Sequence, residues 1–242
     1  MKMKLLLFVF AIPLLCMSQT ARVDSLAVRV LDRMSDIIGE LNSCSFNLAV
    51  SYDATGEYGL EKRFVNHEVI FKGPDKMLVQ TKGTDSHKGY WYNGKHLVYY
   101  SYKENNFSII ASEGGIMQTI DSINAEYDID FPAADFFYPG FTDDLLAEFG
   151  TVVLLENETI NGKDYLHILA DNSKLNFQVW VSNDALTLPQ KFLITYKDQK
   201  GTPQYFAEFS NWKINGDFPD VLFDFVPPSG ARKIQMLSKK SQ

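Results

Sequence analysis

The sequence predicts an α+β fold that is mainly β: an incomplete antiparallel barrel, a curled sheet of about 10–11 strands. An N-terminal helix precedes the sheet, and a helical insert divides it and serves as a lid. Three observations predict this. Apolar residues alternate with period two from Cys44 to Ala111 and again in the second half of the chain, and Asn-Gly pairs punctuate the alternation at hairpin spacing. Between the two halves, Gly114-Gly115 opens a segment in which apolar residues recur at helical spacing.

The first residues read as an export signal, residues 1–18. Lys2 and Lys4 form a basic start and Leu5 to Leu15 an apolar run, too short to span a bilayer, with small residues after it. Cleavage is expected after Ser18. Lipid attachment through Cys16 is the alternative, although Leu15 stands where such sites carry a small residue. Residues 19–242 are then expected to form one domain. Loss of Lys2 and Lys4 takes the formal charge from −7 to −9, an acidic balance that disfavours nucleic acid and anionic headgroups. Cys44 would be the remaining cysteine, which excludes an internal disulfide and suits a small buried apolar residue. Aromatic residues make up 14% of the chain, 18 of them Phe, so much flat apolar surface must be buried or offered to a partner.

Val23, Leu26, Val30, Met34, Ile37 and Leu41 recur every three or four residues and predict an amphipathic helix. From Cys44 the period is two: Phe46, Leu48 and Val50 alternate with polar or small residues before an expected turn at Asp53 to Gly56. Phe64 to Phe71 is the second strand, closed by Gly73-Pro74-Asp75, and Met77 to Thr81 the third. Asn93-Gly94 predicts a type I′ two-residue hairpin, and Val98 to Tyr102 and Phe107 to Ala111 continue the meander. In the insert, Ile116, Ile120, Ile123 and Tyr127 fall at helical spacing. Pro132 to Phe137 and Thr142 to Phe149 read as short helical turns, with Asp143 and Asp144 well placed at the start of the second. Strands then resume around Asn161-Gly162 and Asn215-Gly216. Leu175, Phe177, Val179 and Val181 share one face, Phe192, Ile194 and Tyr196 another, and Phe206 to Trp212 supplies a further strand.

The motifs of chemistry do not assemble. His67, His87, His96 and His167 are scattered with no pair at ligand spacing on a helix, and read as exposed sheet residues. No serine sits in a Gly-x-Ser-x-Gly context, and no glycine loop could cradle a phosphate. Asp128, Asp130 and Asp135 lack the glycine and closing glutamate of a calcium loop, and Asp130 or Asp135 suits a helix cap. Neither catalytic residues, a metal site nor a cofactor is expected, and the chain is read as a binding protein. Ile116, Met117, Ile120, Ile123, Phe136, Phe137, Leu145 and Leu146 are many bulky residues for a short insert; core packing and the lining of a lidded cavity both fit them.

Three strings combine further on. They are Phe71-Lys72-Gly73-Pro74-Asp75-Lys76, then Trp91-Tyr92-Asn93-Gly94-Lys95 with Tyr99 and Tyr100, and finally Phe223-Asp224-Phe225-Val226-Pro227-Pro228-Ser229-Gly230-Ala231. In this order, after an N-terminal helix, they resemble the periplasmic lipoprotein-carrier superfamily with the LolA/LolB-like fold. Tyr127-Asp128-Ile129-Asp130-Phe131-Pro132-Ala133-Ala134-Asp135 and Leu188-Pro189-Gln190-Lys191 look like motifs of one family within it, the predicted periplasmic proteins DUF2092. The resemblance implies a half-barrel around a hydrophobic cavity, a periplasmic location, and a lipid or acyl-bearing ligand, including a lipoprotein. It also implies transient membrane contact. The same superfamily implies an alternative, an envelope sensor or scaffold that binds a protein partner. The carriers hold an arginine before the proline of their lid-tying segment, where this chain has Gly73, with Lys72 beside it. The side chains expected to line the cavity are Phe46, Leu48, Phe71, Trp91, Met117, Ile120, Phe136, Phe137, Phe177, Val179, Phe192 and Ile194. Period-two alternation leaves their face open, since a one-residue slip inverts a strand.

Overall fold

The computed structural model describes residues 22–239, so the expected signal peptide, its cleavage site and Cys16 lie outside the described residues. The chain opens with β1 (Arg22–Val23) and helix α1 (Ser25–Gly39). Six strands follow: β2 (Ser43–Gly56), β3 (Gly59–Lys72), β4 (Lys76–Gly83), β5 (His87–Tyr92), β6 (His96–Ser101) and β7 (Asn106–Ala111). The insert comprises α2 (Ile116–Tyr127), a 3₁₀ turn (Ala134–Phe137) and α3 (Phe141–Glu148). The second half contains β8 (Thr151–Ile160), β9 (Lys163–Asp171), β10 (Leu175–Ser182), β11 (Pro189–Tyr196) and β12 (Gln204–Ile214). A 3₁₀ turn (Asp220–Phe223) and β13 (Arg232–Lys233) complete the described chain.

All thirteen strands form one open sheet in the order β1-β8-β9-β10-β11-β12-β2-β3-β4-β5-β6-β7-β13. Eleven strands have six residues or more, matching the expected 10–11; the other two are the two-residue edge strands. Both edge strands pair parallel to their neighbours while the rest of the sheet is antiparallel. The halves join where β12 lies against β2, so the sheet runs unbroken past the point where the insert interrupts the sequence. Helices α1, α2 and α3 cover its concave face, and their buried residues form one core with those of the sheet.

Helix α1 starts at Asp24, whose side chain accepts from the Leu26 amide at 2.8 Å and satisfies one of the free donors there. Its buried stripe is Ala27, Leu31, Met34 and Ile38. The expected stripe is therefore rotated: Val30, Ile37 and Leu41 flank it, and Leu26 and Val23 are half exposed. Small Ala27 is fully buried in this stripe.

The expected turn at Asp53 to Gly56 is strand instead. Cross-strand pairing of β2 with β3 continues to Gly56 opposite Gly59. Asp53 keeps it ordered, since its carboxylate pairs with Lys62 across the hairpin at 3.0 Å and accepts from the Gln204 amide at 2.9 Å. The Asn-Gly pairs also diverge. Asn161 and Gly162 both adopt positive φ, 52° and 74°, and close a two-residue hairpin between Ile160 and Lys163. At Asn93-Gly94 only Gly94 has positive φ, and the Asn93 side chain instead accepts from the Lys95 and His96 amides. Asn215 closes no hairpin; it ties the end of β12 to Asn42 and Ser43.

The concave face over β2, β3 and β12 is filled by aromatics. The ring of Phe46 lies 4.6 Å from that of Trp212, 5.2 Å from Phe209, 5.8 Å from Phe137 of the insert and 6.5 Å from Phe71. Phe46→Ala removes the common neighbour of these rings, and we expect a loss of about 3–5 kcal/mol in unfolding free energy, measured by urea denaturation followed through the tryptophan signal.

Candidate functional site

The filling stops over β10 and β11. Successive inward steps on these strands are Val179 opposite Phe192 and Phe177 opposite Ile194. At the first step Phe136 from the insert packs 5.3 Å from Phe192 and stacks on Phe141 at 5.0 Å. The second step is left open. An open-sided cavity of about 780 Å³ lies there, walled by Leu175, Phe177 and Ile194 from the sheet and by Ile120, Ile129, Phe131, Ala134, Phe141, Leu145 and Phe149 from the insert and the segment leading to β8. The volume is within the range of small-molecule sites.

Of the expected lining residues, the structure brings Ile120, Phe177 and Ile194 to this cavity. Phe71, Met117 and Phe137 line a second cavity of about 350 Å³ between the end of α1 and the start of α2. Phe46, Leu48, Phe136, Val179 and Phe192 are buried in the core between the two. Trp91 lies on the convex face, 4.9 Å from Phe225 of the C-terminal segment. Leu175, Ile129, Phe131 and Phe149 lie outside the expected set. Leu175 is the inward step after Phe177 on β10, so the period-two pattern that marks Phe177 marks it as well.

The insert is pinned to the sheet where it begins. The Pro74 carbonyl accepts from the Ile116 amide at 3.1 Å, and the buried Tyr92 hydroxyl donates to the Gly114 carbonyl at 2.7 Å. Lys72, next to Gly73, takes no part in this. Its ammonium donates to the Phe218 carbonyl at 2.8 Å and pairs with Asp220 at 2.6 Å, holding the C-terminal segment over the sheet.

The polar rim of the large cavity comes from the insert. Tyr138 donates its hydroxyl to Asp121 at 2.5 Å, and desolvation, reinforced by that carboxylate, pushes the phenol well above its ordinary range. Asn124 donates to Asp130 at 2.5 Å. Desolvation pushes the Asp135 carboxyl up, with the nearby Asp130 charge adding to the rise. Asp130 is thus held by an asparagine side chain, and neither it nor Asp135 caps a helix.

The histidines divide. His87 and His96 are exposed as expected, whereas His167 is buried on the convex side. Its ring stacks on Trp180 at 4.1 Å and contacts Glu158 at 2.7 Å and Gln178 at 3.0 Å. Its neighbours on β8 and β10 cover it, which the sequence spacing could not reveal. His67 is half buried against Thr81, at 2.9 Å. Cys44 is buried, and burial pushes its thiol up to about 12.

The model for the predicted periplasmic proteins DUF2092 matches residues 27–237. The chain belongs to this family. The family description makes it a periplasmic protein, in agreement with the expected location. No curated protein matches the chain. An uncharacterized conserved protein from Thermus thermophilus shares the fold, with TM-score 0.50 and 11% identity over 87% of this chain and 99% of that one. Similarity at lower TM-score extends to a LolA superfamily protein from Nitrosomonas europaea, 0.37 at 15% identity over 82% of this chain and 97% of that one. The lipoprotein LppX from Mycobacterium tuberculosis scores 0.46 at 12% identity, over 78% of this chain and 96% of that one.

The environment of His67 disfavours its protonation. Burial, with the Lys88 charge adding to it, lowers its pKa to about 4 from an ordinary value of 6.5. Between those values the unfolded chain binds the proton and the folded protein does not, so His67 lowers stability as pH falls from 6.5 to 4. Urea midpoints of the wild type and His67→Gln should diverge progressively over that window, with the variant losing less; parallel curves would refute the assignment.

Proposed function

We propose that this protein binds a hydrophobic ligand, a lipid or acyl chain, in the cavity over β10 and β11 and serves as a non-enzymatic binding or carrier protein of the periplasm. The observation that carries the reading is the contrast along one concave face. Aromatic side chains fill it over β2 and β12, yet about 780 Å³ with a fully apolar sheet wall stays open one step beyond Phe192. Each methylene buried there would contribute ~0.8 kcal/mol, so several acyl carbons suffice for useful affinity without covalent chemistry. A lipoprotein's acyl chains belong to the same ligand class.

A second reading, a scaffold that docks on an envelope protein, is favoured by one observation. At the far end of the β2–β3 hairpin, Tyr58 is 90% exposed and Phe64 62% exposed, an arrangement suited to a partner or to transient contact with a membrane surface.

Native mass spectrometry of protein purified without detergent, followed by organic extraction, tests the first reading. A stoichiometric lipid or acylated species is expected. Ile194→Trp places a larger ring on the cavity wall and should reduce uptake of a neutral fluorescent fatty alcohol at least about tenfold while changing stability by less than about 1.5 kcal/mol. Absence of bound mass, together with no uptake by the wild type, would sink the carrier reading and leave the docking one.

A further inference from the structure

The ionisable lining of the large cavity has one sign. Asp121 of α2, Asp130 of the following loop, Asp135 of the 3₁₀ turn, and Asp144 and Glu148 of α3 all reach it, and among the described residues no lysine, arginine or histidine does. All five come from the insert, while the sheet contributes only apolar groups. Among the described residues none of the five takes part in an ion pair. The hydrogen-bond donors found on Asp121, Asp130 and Glu148 are neutral: Tyr138, Asn124 and Asn172.

Cations nearby do not reverse the balance. Lys88 on β5 shares an adjoining cavity of about 230 Å³ with Asp130, whose charge acts on the ammonium. Burial holds the Lys88 ammonium below its ordinary range, and it lines that adjoining cavity and not the large one. Arg63, in the same small cavity, is paired with Glu61 at 2.9 Å and Asp85 at 3.3 Å.

We propose that the cavity selects amphiphiles with a cationic head and discriminates against anionic ones such as free fatty acids. This rests on the preceding reading that the cavity binds an apolar chain. The carboxylates do not create the site; the apolar walls do. They set the potential at its mouth, where the head of a ligand buried by its tail must sit. An anionic head there would face several like charges, whereas an ammonium would find acceptors on more than one side. The rim carboxylates are exposed, so the preference is expected to weaken with salt as the screening length falls from ~8 Å at 0.15 M to ~3 Å at 1 M.

The test uses the purified protein with the neutral fluorophore N-phenyl-1-naphthylamine as reporter, displaced at pH 7.5 and low ionic strength by decylamine, decanol and decanoate below their aggregation concentrations. The tail is constant and only head charge varies. Decylamine is expected to displace the reporter at about tenfold lower concentration than decanoate, with decanol between. The gap should close in 1 M NaCl, and in a variant carrying Asp121→Asn, Asp144→Asn and Glu148→Gln that still binds the reporter. If the variant does not fold, the salt titration of the wild type decides alone. Reporter binding with equal displacement by all three, or with decanoate strongest, would overturn the charge preference and leave the cavity reading standing. No binding of reporter or of any of the three would overturn both.

Discussion

A sheet of eleven long strands cannot lie flat, because each strand's right-handed twist accumulates and the sheet must curl. Curling creates an inner surface whose apolar side chains have to meet something, and that requirement shapes the rest of the molecule. α1 supplies Leu31 and Met34 to it, the insert supplies Phe136, Phe141 and Leu145, and the sheet's own Phe46 and Phe209 meet across it. The filling is uneven because the aromatics are. Phe46, Phe71, Phe209 and Trp212 are concentrated where β12, β2 and β3 adjoin, and β10 and β11 offer only Phe177, Ile194 and Leu175 at their outer inward-facing steps. The cavity is what remains when a continuous curve is packed with a discontinuous set of rings.

The convex face obeys the same demand at smaller scale. Trp91, Tyr100 and Phe107 would be wet on the outside of β5, β6 and β7, and Phe225 covers all three with ring separations of 4.9–5.5 Å. Lys72 and Asn93 hold the covering segment through Asp220 and Asp224. The aromatic-proline string near the C terminus, which carries part of the family resemblance, therefore acts as a strap over the sheet, and the strap and insert press on opposite faces of the same strands.

Much of this was legible in the residues. Period-two runs located the long strands, the glycine pair at 114–115 located the insert, and Asn161-Gly162 named its hairpin. What sequence could not assign was face and depth. In β5, Tyr90, Trp91 and Tyr92 are all aromatic because both faces are covered, so alternation carries no sign there, and Trp91 falls outside the cavity. Val179 and Phe177 differ only by one inward step on the same strand, yet Phe136 from the insert packs on Phe192 opposite the first, while the second lines the cavity. The acidic rim was hidden for a related reason: carboxylates on short helices look like an ordinary solvated face until the fold turns them toward a common opening. The rotated stripe of α1 shows the converse, since Ala27, too small to weigh in a hydrophobic pattern, is fully buried in it.

The burial of Cys44 has a consequence for life in the compartment where this protein works. Oxidation and thiol exchange proceed through the thiolate, and a buried group held near 12, opposite Phe71 in the sheet, offers almost none. Among the described residues it is the only cysteine, so the folded sheet offers the oxidising machinery of the envelope almost no thiolate at that position.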